Sequence, residues 1–253
     1  MNKLGDILLR ALTWALAGSV FGGLYGGLST AWQRLFDNHW FVIGLATTLA
    51  GAITAAFFGS MLTALMGAMM GVLSAVVYLI VFSGTVPIAF LLVIAAGLAF
   101  LAGTLLPQDE NLRTRPLGQT ISGLLAGLAA GPITALAVVG LALPLQGPLT
   151  AGIAVAAVGV LFLLFSRWIA PACPDWLSSR YGAPVVAAIV AVSVASAQWL
   201  IGGSINGASD WGVQEMDLIA AAVPASLAGG AIGGAIGGAL LELFGIQRGQ
   251  YHV

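Results

Sequence analysis

Charged residues interrupt this chain so seldom that the gaps between them count its elements. After Lys3 and Arg10 the sequence runs uncharged from Ala11 to Gln33, then for 71 residues between Asp37 and Asp109, then for 51 between Arg115 and Arg167. A helix needs about 20 apolar residues to cross roughly 30 Å of hydrocarbon. The first stretch therefore fits one span, the second three and the third two. Gly59-Ser60 and Ser83-Gly84-Thr85-Val86-Pro87 divide the second stretch, and Pro144-Leu145-Gln146-Gly147-Pro148 the third, because Gly and Pro end helices and form turns. Two further apolar runs close the sequence. The pattern predicts an all-α transmembrane bundle, one integral membrane domain over 1–253, with eight spans near 11–33, 39–58, 61–82, 87–106, 117–142, 149–168, 183–202 and 218–244.

Composition agrees: 60% of the 253 residues are hydrophobic and 7% charged, against about 25% charged in soluble domains. Mean hydropathy is +1.04. Such a chain lacks the polar surface to cover a core in water, so lipid must cover it.

The basic residues orient the weave. With eight crossings, Lys3, Arg10, Arg113, Arg115, Arg167, Arg180 and Arg248 gather on one side and Arg34 alone on the other, seven against one. Short cytoplasmic loops are enriched in Lys and Arg, which puts both termini in the cytoplasm. Two spans in the long uncharged stretch would move Arg113 and Arg115 beside Arg34. Trp14, Trp32, Trp40, Trp168, Trp176, Trp199 and Trp211 all fall near expected span ends, as interfacial anchors do. The first apolar run exceeds the length of a secretory signal core and is read as the first helix.

Glycine changes the picture most. The chain has 35, about twice the usual ~7%, and many recur four apart, which lines them along one helix face. Gly18, Gly22, Gly23, Gly26 and Gly27 in the first span match Gly229, Gly233, Gly234, Gly237 and Gly238 in the last, with Gly230 beside them. Gly67 and Gly71 in the third span, and Gly123, Gly127 and Gly131 in the fifth, carry shorter versions. In lipid, helix association rests on close packing, which small residues permit. Doubled glycines give the first and last spans two adjacent strips each, enough for two neighbours apiece. Replacing Gly22, Gly26, Gly233 and Gly237 by Leu is expected to disrupt assembly. The matching strips could also descend from an inverted repeat, but residues 1–106 and 111–245 show no further likeness.

Candidate chemistry is sparse. No span centre holds an ionisable residue, although these mark ion and proton pathways in membranes. Asp217 and Glu242 stand at the two ends of the eighth span, the first favourably placed at a helix N-terminus. His39, His252 and Cys173 form no metal-ligand spacing, and no hydrolase or phosphate-loop motif occurs. A neutral solute path could be lined by Thr47, Thr54, Ser193, Ser196 and Gln198, with a mouth at Asp217 and Pro224; Thr48 is also polar, and Pro132 can kink the fifth span.

These features point to a non-enzymatic membrane scaffold or accessory subunit without cofactor or metal. Its expected partners are membrane lipid, copies of itself or other membrane subunits. The alternative is a channel or facilitator for a small neutral or hydrophobic solute. Scattered positive charge speaks against nucleic acid, and the compact loops suggest a bacterial inner membrane. Tags fused to the two ends should both face the cytoplasm in intact cells; tags in opposite compartments would overturn the even count.

Overall fold

The computed structural model describes residues 3–33, 36–82, 87–105, 116–172, 175–205 and 211–243. Among these there are eight helices and no strand: α1 (Lys3–Gln33), α2 (His39–Gly59), α3 (Met61–Phe82), α4 (Ile88–Thr104), α5 (Pro116–Gly140), α6 (Pro148–Ala172), α7 (Asp175–Ile205) and α8 (Trp211–Leu243). The fold is an all-α membrane bundle, and the chain is an integral membrane protein. Six helices hold an apolar run long enough to cross a bilayer: Gly5–Gln33, His39–Gly59, Met61–Tyr78, Leu117–Gly140, Pro148–Ile169 and Asp217–Leu243. The described apolar segments of α4 and α7, Ala89–Thr104 and Tyr181–Ser196, are shorter.

Several helices outrun the apolar segments that predict them. Lys3, Asp6 and Arg10 lie on α1 rather than before it. Arg167 and Trp168 lie inside α6, and Arg180 inside α7. The eighth helix starts at Trp211, so Asp217 sits beyond its first turn and is no N-terminal cap. Hydrophobicity marks where lipid begins, whereas helical hydrogen bonding continues for as long as the backbone can sustain it in the polar margin.

The helices divide into two compact units. Unit 1 comprises Met1–Thr54, Gly123–Arg167 and Ile219–Val253; unit 2 comprises Ala55–Ser122 and Trp168–Leu218. In unit 1, α1 and α8 run antiparallel, since Gly18 faces Gly230 and Gly22 faces Ser226. The α2 and α5 helices are antiparallel as well, with Gly51 at Gly123 and Gly44 at Gly131. Parallel packing joins α6 to α8, through Pro148 at Gly229 and Gly152 at Gly233. In unit 2, α3 and α7 are parallel, Gly67 lying at Ala187 and Gly71 at Ala191. Odd-numbered helices thus pair parallel with odd and antiparallel with even, as strict alternation of crossings requires.

The N-terminal part of α1 and the C-terminal end of α8 are further joined by an ion pair between Arg10 and Glu242, both partly buried. At the other end of α1, the Tyr25 hydroxyl donates to the Leu145 carbonyl at 3.3 Å, and the Gln146 amide donates to Gln33. These bonds tie α1 to the α5–α6 turn. That turn begins with the Leu143 N–H on the Val138 carbonyl (3.0 Å) and the Ala142 N–H on Val139 (3.4 Å). The pattern is a Schellman end whose left-handed position usually holds glycine. Here it holds Ala142, with φ 50°. Thr150 closes the turn by donating to the Pro144 carbonyl at 2.7 Å.

In unit 2, Ala75, Tyr78, Leu91, Ala95, Ala99, Ala187, Ala191 and Ala195 form one core of α3, α4 and α7. A second core joins Ala56, Ala64, Leu117, Val186 and Val190. Alanine dominates because the helices approach too closely for larger residues.

Ala142 strains the α5 terminus by holding a Cβ in left-handed backbone, so Ala142→Gly should raise stability by roughly 0.5–1 kcal/mol. Thermal unfolding in mild detergent measures this, and a lower midpoint would show that the strain is absent.

Candidate functional site

The described residues carry their most specific geometry where glycines meet a neighbouring backbone. In unit 1, a methyl at Gly18 would collide with the Gly230 carbonyl oxygen, and one at Gly230 with that of Gly18. Gly22 stands in the same way against the Ser226 carbonyl, and Gly234 against that of Trp14. A Cβ at Gly26 would lie 2.6 Å from the Ser226 hydroxyl oxygen, and one at Gly238 2.8 Å from the Arg10 carbonyl oxygen. The α2–α5 seam repeats the arrangement: Gly51 faces the Gly123 carbonyl (2.5 Å), Gly127 that of Thr47, and Gly131 the Gly44 Cα (2.8 Å). In unit 2, Gly67 and Gly71 face the carbonyls of Ala187 and Ala191.

An oxygen lying where Cβ would stand also lies along one Cα–H bond of the glycine. Each such contact is therefore a Cα–H···O=C interaction worth about 0.5–1 kcal/mol. Reciprocal pairs such as Gly18 with Gly230 add this to the dispersion gained by close backbones.

The doubled strips serve unequally. The α8 helix receives α1 on Gly230, Gly234 and Gly238, and α6 on Gly229 and Gly233, where a methyl would reach Pro148 and Gly152. On α1 the second strip meets no second helix through glycine. A Cβ at Gly23 or Gly27 would lie at ordinary contact distance, 3.8 and 3.5 Å, from Leu227 and Val223 of the same α8. Gly237 differs: nothing of this chain stands within 4 Å of its Cβ position, so the expected packing there is not made within the chain. Both neighbours continue past this level, and beside it the Trp14 side chain stands between Gly159 of α6 and Gly238 of α8.

Trp14, near a span end, also takes part in helix packing. Its indole packs between α6 and α8, 3.0 Å from the Cβ position of Gly159, with its Cβ 2.7 Å from that of Gly238. Trp32 is buried and Trp14 half-buried, whereas Trp40 and Trp168 are exposed. The side chains of Trp176, Trp199 and Trp211 lie outside the described set, as do Arg34, Arg113, Arg115, Arg248, Cys173 and His252.

The proposed solute lining is not brought together within one unit. Thr47, Thr54 and Pro224 belong to unit 1, and Ser193, Ser196, Gln198 and Asp217 to unit 2. Thr47 donates to Ile43 at 2.8 Å, Thr48 to Gly44 at 2.6 Å, Ser193 to Ile189 at 2.8 Å and Ser196 to the Ser193 carbonyl at 2.8 Å. Their protons are thus committed to their own helices. Asp217 and Pro224 are exposed; Gln198 lies on α7, its side chain outside the described set. The oxygens of Thr54, Thr134 and Ser226 are different: they are buried with no hydrogen-bond partner. His39 opens α2 in an exposed turn where the Asn38 side chain accepts from the Trp40 N–H at 3.0 Å. Among the described residues no three His, Cys, Asp or Glu are grouped to hold a metal ion.

Two features escaped the sequence. Pro184 lies inside α7, where Gly103 of α4 meets it, a Cβ there standing 2.6 Å from the Pro184 Cα. The Arg10–Glu242 pair spans 232 residues. The antiparallel match of the glycine strips was the signal that could have found it.

Gly18→Ala, Gly22→Ala and Gly230→Ala should each destabilise by about 1–3 kcal/mol, because the new methyl meets backbone that cannot turn aside. Gly237→Ala should stay within about 0.5 kcal/mol of the parent. Unfolding in mild detergent measures both, and equal effects at Gly22 and Gly237 would refute the assignment.

No family model, curated protein or solved structure matches the chain.

Proposed function

We propose that the protein is a non-enzymatic multi-pass scaffold or accessory subunit, a frame of closely seamed helices that presents an apolar outer surface to membrane partners. The observation that carries this reading is the reciprocal backbone contact at Gly18 and Gly230, with its counterpart at Gly51 and Gly123. Such seams hold helices at fixed spacing and leave little slack for the motion that alternating access demands. The glycine faces serve mainly within the chain. Partners then meet what remains: Gly237 beside the exposed Ile232, Ile236 and Leu240 on α8. In this reading all eight helices span a bacterial inner membrane with both ends in the cytoplasm; the alternating directions and the Arg10–Glu242 pair support it.

A second reading, a facilitator for a small neutral solute, draws on Thr54, Thr134 and Ser226. Buried hydroxyls without partners are costly, by roughly 1–3 kcal/mol each, and a passing solute could satisfy them.

Gentle purification from native membranes followed by mass determination separates the two. The scaffold predicts stoichiometric protein partners, lost in a Gly237→Leu, Ile236→Ala double variant that still folds. A lone assembly that makes vesicles permeable to a neutral solute, with permeability reduced by Thr134→Val, would establish the facilitator instead.

A further inference from the structure

A cavity of about 150 Å³ lies between α3 and α4 in unit 2. Its floor is Ser74, Tyr78 and Leu91, all nearly inaccessible, and its mouth is Leu73, Val77 and Leu98, which are 52%, 45% and 42% exposed. Ile94 forms part of the wall. The space is large enough to admit several water molecules. Water finds little to hold there, because the Ser74 hydroxyl already donates to the Met70 carbonyl at 2.7 Å. Apolar cavities stay dry and take apolar guests.

The mouth opens on a surface already committed to hydrocarbon. Val76, Val81, Val93 and Leu101 on the same two helices are all more than two-fifths exposed, as a lipid-facing surface requires. The cavity is therefore continuous with the interface between protein and bilayer. The geometry points to a resident lipid: one acyl chain of a bilayer phospholipid inserts between α3 and α4 and rests against Leu91 and Ile94. Filling the space restores the dispersion contacts that its lining otherwise lacks, and it distinguishes this chain from the exchanging lipid around it. The inference needs only the membrane location, so it stands apart from the scaffold reading.

The test uses the full chain in phosphatidylcholine vesicles whose acyl chains carry a diazirine at a series of depths, with labelled residues mapped by peptide mass. Surface exposure alone ranks Val93, 69% exposed, far above Leu91, 1% exposed. A seated chain labels Leu91 and Ile94 at least as strongly as Val93, from at least one diazirine depth. Labelling that follows exposure, with Leu91 and Ile94 at background from every depth, overturns the proposal. Val77→Phe narrows the mouth and should lower labelling of Ile94 by about threefold or more, while Val139→Phe on the exposed face of α5 should not. Equal labelling of Ile94 in both variants also overturns it. Should Val77→Phe fail to fold, the parent's labelling pattern decides alone.

Discussion

The structure depends on helices touching backbone to backbone. In a bilayer, apolar side chains gain nothing by leaving lipid for protein, so packing must be closer than lipid can achieve. Gly18, Gly22, Gly230 and Gly234 supply that closeness between α1 and α8, and Gly51 and Gly127 supply it between α2 and α5. With no Cβ in the way, carbonyls of one helix reach the Cα–H bonds of the next. The alanine-rich core of α3, α4 and α7 is a milder version of the same solution.

Polar groups serve this packing. Most buried hydroxyls bond to their own helix, as Thr47 and Ser193 do, which hides them without calling for a partner helix. Polar ties between helices stand toward the ends of α1: Arg10 with Glu242 at one, and Tyr25 and Gln33 on the α5–α6 turn toward the other. Held near both ends, α1 has its register against α8 and the turn set by directional bonds, while glycines set its distance.

Much of the fold was legible because lipid imposes simple rules. Uncharged run lengths gave helices close to α2, α3 and α5, and helix directions follow from alternation. The ends of α1, α7 and α8 were not legible, since polar residues such as Glu215 and Arg180 continue a helix that hydropathy alone would stop. Glycine spacing showed which faces are flat but not what covers them. Gly237 has the same local pattern as Gly233, yet only Gly233 meets Gly152. Trp14 shows the same limit: its place near a span end was legible, while the glycines its side chain packs against, Gly159 and Gly238, lie far along the chain. Ser226 gave no signal in sequence, because only its burial against Gly26 removes its partners.

The glycine face of α1 waits for a mate that the ribosome makes last among the described helices: Arg10 and Glu242 are 232 residues apart. At roughly 5–20 residues per second, α1 spends on the order of ten seconds or more in the bilayer with its narrow face covered only by lipid or by the insertion machinery. Unit 1 can therefore close only after α8 has entered, and a chain halted before α8 would leave its first helix as an adhesive surface for strangers.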